Sequence, residues 1–103
     1  MDWYSHWNNH TECCGVVLAN DRVVKLNNIH PDPSNGFAIC SEELDELMPL
    51  VTAFWHTHPS GCINLSLEDY YSFLKFPAHQ HIIVGDQRHA VYYVVRGVVY
   101  RYD

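Results

Sequence analysis

Apolar residues fall along this chain in short blocks whose spacing changes from one block to the next, and the changes mark the elements. From Gly15 the block GVVLA is β-branched and apolar, Asn20-Asp21 interrupts it, and RVVKLNNI resumes it. This predicts two strands joined by a two-residue turn, because Asn and Asp tolerate the backbone that tight hairpins need. Before it, Trp3, Tyr4 and Trp7 stand at i, i+1 and i+4, one face of a short helix within residues 1–10. After it, the two prolines and the Asn-Gly of HPDPSNG, residues 30–36, make a loop, and FAI a short strand. Ser41 has the look of an N-cap: Glu42 and Glu43 occupy the first turn, Leu44, Leu47 and Met48 form a stripe, and Pro49 ends it. LVTAFWHT, residues 50–57, reads as a buried strand that stops before Pro59. From Ser66 to Phe76 the pattern returns to helical spacing, with Leu67, Tyr70, Tyr71 and Leu74 as the expected core-facing stripe and Pro77 as the stop. HIIVG, AVYYVV and VVYRY then predict a three-stranded meander. The expected fold class is α/β: a single mixed sheet flanked by helices.

Composition narrows what such a fold can do. The 103 residues leave room for one domain, 1–103, and 48% hydrophobic with 17% charged residues is a composition that folds. A net charge of −6 with six scattered Lys and Arg argues against nucleic acid as a partner, since neutralising phosphates needs clustered cations. No stretch reaches the roughly 18 to 20 apolar residues of a membrane span, and the first ten residues lack a signal peptide's basic and apolar regions. A soluble, cytoplasmic protein without membrane contact is the expectation, with Cys13, Cys14, Cys40 and Cys62 as reduced thiols. Eight histidines are the oddity, because neutral imidazole is the commonest metal ligand.

The candidate chemistry lies in HTHPSGCINLSLED, residues 56–69. Side chains two apart on a strand share a face, so His56 and His58 project together and can chelate one ion. On the following helix, Asp69 lies about 160° from the centre of the apolar stripe and about 60° from Ser66, which places it with Ser66 and off the core. Capping alone would explain that pair, since Ser66 and an acid three residues on form a capping box. If instead the helix start faces the strand end, Asp69 becomes a third ligand and leaves a fourth position for water, the pattern of catalytic zinc. Such a water needs a base. Glu12, just before the first strand, is the candidate, whereas Glu42, Glu43 and Glu68 are explained as charges in helix first turns.

These residues have the spacing of a known signature. H-x-H-P, six residues, then S-x-x-D, with a Glu ahead of the first strand, resembles the JAMM (MPN+) zinc metalloprotease family, and it is most similar to the JAMM domain of phage tail assembly proteins of the lambda K type. E-C-C-G at residues 12–15, the loop carrying Asn28, Asp32 and Pro33, and Phe37 with Ile39 also match that group, so the resemblance covers essentially the whole chain. It implies a cytidine-deaminase-like JAMM fold in which His56, His58 and Asp69 hold one Zn2+ with a water as fourth ligand. Glu12 would be general base and Ser66 would help to hold the oxyanion. The implied function is hydrolysis of peptide or isopeptide bonds in a protein substrate, such as a ubiquitin-like or phage tail protein, in the host cytoplasm if phage-encoded. The longer members carry a papain-like cell-wall peptidase domain that this sequence does not contain, so cell-wall cleavage is not implied. A non-catalytic metal-binding JAMM module serving as an assembly factor is the alternative.

Other features compete less well. His79-Gln80-His81 repeats the H-x-H pattern, but the nearest downstream acid, Asp86, lies about 16 Å from His81 along an extended strand. Cys62, between the ligands, reads as a free loop thiol, and Cys13 and Cys14 as buried thiols without a paired base. The P-C-x-x-C of zinc deaminases is absent.

Overall fold

The computed structural model describes residues 2–102. Six strands form one mixed sheet: β1 (Cys14–Leu18), β2 (Val23–Leu26), β3 (Val51–Thr57), β4 (Gln80–Val84), β5 (His89–Val95) and β6 (Val98–Arg101), in the order β2-β1-β3-β4-β5-β6. Only β3 and β4 run parallel, and they are joined through a helix, as a parallel crossover requires. The two α-helices are α1 (Ser41–Leu47) and α2 (Leu67–Leu74). Neither is long and apolar enough to cross a membrane.

Strand alternation gives the sheet two different faces. One carries Val17, Ala53, Trp55, Ile82 and Val84, covered by Trp3. The other carries Val16, Leu18 and Phe54 beneath Leu44, Leu47 and Met48 of the α1 region, then Ile83 and Tyr92 beneath Phe73 of α2. Gly15 is fixed by packing: a Cβ there would lie 1.9 Å from the Val24 carbonyl oxygen and 2.8 Å from the Trp55 ring, so no side chain fits between β2 and that indole.

Most predicted elements form, and the departures have local causes. The N-terminal segment makes a 3-10 helix, Asp2–His6, with the Trp7 N–H bonded to the Tyr4 carbonyl, and the Trp7 side chain donates its Nε1–H to the His58 carbonyl at 2.8 Å. The hairpin loop spans Ala19 to Asp21, with Asp21 in the left-handed region at φ 65° and the Leu18 N–H bonded to the Arg22 carbonyl. FAI does not make a strand; Ile39 forms a single bridge with Asn28. Cys40 rather than Ser41 is the N-cap of α1, and no side chain caps it. Pro49 lies inside a further 3-10 turn, Met48–Leu50, that leads into β3.

The largest correction concerns α2. Leu67 and Tyr71, expected in its buried stripe, are 70% and 58% exposed, whereas Asp69, expected off the core, is 4% exposed and shares the inward face with Phe73. The inward series is Asp69, Phe73 and Phe76, spaced i, i+4, i+7 like any core stripe. Counting only apolar residues hides it, because its first member is an acid.

Candidate metal centre

The centre is assembled at one end of β3. Cys14 pairs with His56 in the antiparallel β1–β3 ladder, and continuing that register brings Glu12 opposite His58 on the same face. Thr57, between the histidines, points to the other face, where its Oγ1 accepts the Cys13 N–H at 2.9 Å, and its own N–H donates to the Cys13 carbonyl at 2.8 Å. The backbone of His58 is held on both sides: its N–H donates to the Val84 carbonyl at 2.9 Å and its carbonyl accepts from Trp7. α2 then starts directly over this strand end. The Ser66 Oγ accepts the Asp69 N–H at 3.1 Å, and Asp69 Oδ2 accepts the Ser66 N–H at 3.0 Å, a complete capping box.

That capping carboxylate faces both histidines. His56 Nε2 lies 2.9 Å from Asp69 Oδ1, His58 Nε2 lies 3.0 Å from Oδ2, and the two Nε2 atoms are 3.2 Å apart. Across from them, Glu12 has a carboxylate oxygen within 4.8 Å of ligand atoms on both histidines. Capping and clustering are thus done by one carboxylate, and the two readings of Ser66 and Asp69 coexist.

The donor set suits a divalent cation. A carbonyl can only accept, so the 2.8 Å contact between His58 Nδ1 and the Cys62 carbonyl puts a hydrogen on Nδ1; Nε2 then carries a second hydrogen, donated to Asp69, when the ring is charged, and is a lone pair when the ring is neutral. In the neutral ring that lone pair converges with the carboxylate and the second imidazole, so a cation can take the place of the proton there. Two nitrogens at 2.0 to 2.1 Å from a tetrahedral ion would be about 3.3 Å apart, close to the 3.2 Å observed. Phe37 stacks on the His56 ring with centroids 4.3 Å apart, so the ring cannot swing away.

Burial and the contacts of Asp69 pull the protonation states in opposite directions. It pushes the His56 pKa down despite the Asp69 carboxylate, which keeps this imidazole neutral. For His58, burial also lowers the pKa, but the bond and the charge of Asp69 outweigh it and the net direction is up. Asp69 would be raised by burial; its bonds from His56 and His58 instead hold it well below the usual carboxylate range. Glu12 is pushed up to about 7, first by burial, with His58 lowering it and Asp69 and Glu68 raising it. Its Oε1 is buried without a hydrogen-bond partner.

Two neighbours fix the Glu12 side of the centre. Asn28 donates its amide hydrogens to the Glu12 carbonyl at 2.8 Å and the Gly36 carbonyl at 3.0 Å, and its Oδ1 accepts the His30 and Ala38 N–H groups, each at 3.0 Å. The Glu12 N–H donates to the Pro33 carbonyl at 2.7 Å. His30 also reaches α2, with Nε2 3.2 Å from Glu68 Oε1. Sequence patterning gave no sign of the roles of His30 or Trp7, and it placed Asn28 and Phe37 only in strands, their link to the site coming from the family resemblance.

The second H-x-H stays apart from this cluster. His81 donates its Nε2–H to the Phe76 carbonyl at 2.9 Å between the rings of Phe54 and Phe73, and His79 packs edge-on against Phe54. Cys13 and Cys14 are buried, with the Cys14 thiol pushed up to about 12 by burial, while Cys62 is an exposed free thiol.

No family model and no curated protein sequence matches the chain. Among solved structures, the chain is similar to the solution structure of protein DSY2949 from Desulfitobacterium hafniense: 20% identity, TM-score 0.74, covering 99% of this chain and 84% of that one. At that identity the similarity establishes a shared α/β fold.

Proposed function

We infer that the protein is a zinc-dependent metallopeptidase of the JAMM type, with a cytidine-deaminase-like JAMM fold, hydrolysing peptide or isopeptide bonds in a protein substrate. The observation that carries this reading is the convergence of His56 Nε2, His58 Nε2 and both Asp69 carboxylate oxygens within 3.2 Å contacts, with the Glu12 carboxylate beside them. His56, His58 and Asp69 would hold the ion. When bound, zinc would supply Lewis acidity and bring the pKa of a water in its open position toward neutrality.

The chain's own groups supply the remaining steps. Glu12 takes a proton from the attacking water on a carboxylate oxygen and returns it to the leaving amine. Ser66 Oγ accepts from the Asp69 N–H, which leaves its own hydrogen free to donate to the oxyanion as charge develops on the carbonyl oxygen. Asp69 fixes both rings while its own position is set by the Ser66 N–H.

The buried Oε1 of Glu12 has no hydrogen-bond partner in the protein, so it is available to a bound water or to an ion at the centre, and activity separates an enzyme from a passive metal-binding module. Burying a carboxylate without a partner destabilises the fold, a cost that a bound ion or a reacting water would relieve. The deciding experiment measures bound zinc and a chelator-sensitive cut in candidate protein substrates, for wild type and Glu12→Gln. Stoichiometric zinc in both, with cleavage only in wild type, supports the proposal. A protein without stoichiometric zinc, or a Glu12→Gln variant that cuts as fast as wild type, would overturn it.

A further inference from the structure

The face of the sheet that holds His56 has a second opening, which the hydrolytic steps above leave unused. α1 and α2 both pack on this face, and between them lies a pocket of about 340 Å3. Its floor is Phe54, His56 and His81, and the rings of Phe37, Phe73 and Phe76 surround it. A volume of a few hundred Å3 lined by four phenylalanines, with Ser41, Ser72 and two imidazoles as polar groups, is the kind of space that one large side chain or a small ligand fills.

One permanently charged group meets this ring-lined space. Lys75, at the C-terminal end of α2, is the only Lys, Arg, Asp or Glu on the lining, and among the described residues no carboxylate lies within 4 Å of its ammonium. In a chain of net charge −6 with six Lys and Arg in all, an unpaired cation beside a ring-lined pocket selects for an anion attached to an apolar group. The acids of α1, including Asp45 and Glu46, lie outside the lining.

The pocket is also joined to the metal centre. Phe37 and His56 belong to both: they stack at 4.3 Å, both rings line the pocket, and His56 Nε2 faces Asp69. A residue seated here is therefore one imidazole away from the ligand cluster.

We propose that this pocket is a binding subsite for an aromatic residue that carries a carboxylate, the ring lying among the phenylalanines and the carboxylate on Lys75 Nζ. Its assignment as a substrate subsite rests on the peptidase reading above; the binding does not. Among aromatic rings an aromatic occupant gains edge-to-face or offset contacts beyond simple burial.

The test titrates the intact, 15N-labelled protein by NMR with N-acetyl-phenylalanine, its amide, and N-acetyl-alanine, in wild type and Lys75→Gln. N-acetyl-phenylalanine is expected to shift residues 37–44 and 72–76 and to bind about 10- to 100-fold more tightly than N-acetyl-alanine, the ratio for burying one such side chain. It should also bind about two- to fivefold more tightly than its amide, as one half-exposed ion pair gives, and Lys75→Gln should abolish that margin. Equal binding of the phenylalanine and alanine compounds, shifts confined to other residues, or a carboxylate preference that survives in Lys75→Gln would each overturn the proposal. Ser72→Phe, which fills the pocket from α2, gives an independent arm: binding is lost and zinc content is kept, and a Ser72→Phe protein that binds as wild type does is a refutation. Should Ser72→Phe fail to fold, the ligand series and Lys75→Gln decide alone. Separately, the same protein is assayed for peptide cleavage, so that binding with these features in a protein that cuts nothing would reject the peptidase reading and leave the subsite standing.

Discussion

Two H-x-H sequences lie on neighbouring parallel strands, and the structure gives them opposite fates. His56 and His58 stand where β3 ends; His79 and His81 stand where β4 begins, with Phe54 opposite His81 in the ladder. One helix serves both. The first turn of α2 brings the Asp69 carboxylate to His56 and His58, whereas the chain just past its last turn gives His81 only the Phe76 carbonyl. A carboxylate facing two imidazole nitrogens makes a candidate cation site; a carbonyl takes one imidazole N–H and buries it. The spacing of the histidines is the same in both, so what decides is the end of the helix that meets them.

The largest effect should come from reversing that difference. Asp69→Asn is expected to lower bound zinc from one ion per chain to near none, while His81→Phe, at a ring packed between two phenylalanines, keeps it. Elemental analysis after gel filtration reads both. Zinc lost with His81→Phe, or retained with Asp69→Asn, would remove the distinction between the two sites.

Glu12→Gln comes next. Removing a general base costs about 10²- to 10⁴-fold in rate, with zinc retained. In the metal-free protein the same change should stabilise the fold, and its pH dependence has a definite sign. Folding raises the Glu12 pKa from 4.5 to about 7, so below 4.5 the group is protonated in both states and costs nothing. As pH rises through this window the unfolded state ionises first, and above about 7 the full penalty applies, about 3 kcal/mol at most. Denaturant unfolding in EDTA should therefore show Glu12→Gln ahead of wild type at pH 8 and level with it at pH 4. A gain that is the same at both pH values would sink the account of Glu12 as a desolvated carboxylate.

His81 gives the mirror case at the other end of α2. Burial lowers its pKa from 6.5 to about 4 despite the Phe76 bond. Above 6.5 it is neutral in both states. As pH falls from 6.5 to about 4 the unfolded state binds the proton first and stability is lost, by up to about 3 kcal/mol and less to the extent that water enters. His81→Phe should flatten that acid limb, as unfolding at pH 7 and pH 4.5 would show, and an unchanged limb would contradict the burial of this imidazole.

How much of this could be read from the sequence depends on distance along the chain. His56, His58, Ser66 and Asp69 lie within 14 residues, so strand alternation paired the two histidines and one helix turn paired Ser66 with Asp69, while it was the resemblance to a family signature that joined the two pairs. Glu12 is 44 positions from His56, and its place opposite His58 follows from a β1–β3 register that no local pattern encodes. The face of α2 was misread for a different reason. Asp69 occupies a core position because two histidines take up its charge, and hydropathy counts an acid as outward-facing whatever its partners. Ser41 illustrates a smaller failure: it has the right residue type for a cap, but the helix begins one residue earlier on Cys40 and the serine becomes its first member.

The smallest effect separates the two roles of Ser66. As N-cap of α2 its hydroxyl satisfies the Asp69 N–H, and Ser66→Ala should cost about 1 kcal/mol of stability, whereas Ser66→Gly should cost only a few tenths because glycine tolerates the cap position. A purely structural serine would therefore leave the glycine variant close to wild type in both stability and rate. An oxyanion donor predicts otherwise: both variants lose the hydroxyl, so both fall in kcat by about 10²-fold or more while their stabilities differ. Thermal unfolding and kcat measured on the same two proteins distinguish these outcomes. If rate follows stability across the pair, Ser66 holds Asp69 at the helix start and does nothing further; if rate falls equally while stability does not, the hydroxyl acts in the cleft. Either result bears on the contrast between the two histidine pairs, because only the N-terminal end of α2 has a capping side chain that could also serve the chemistry.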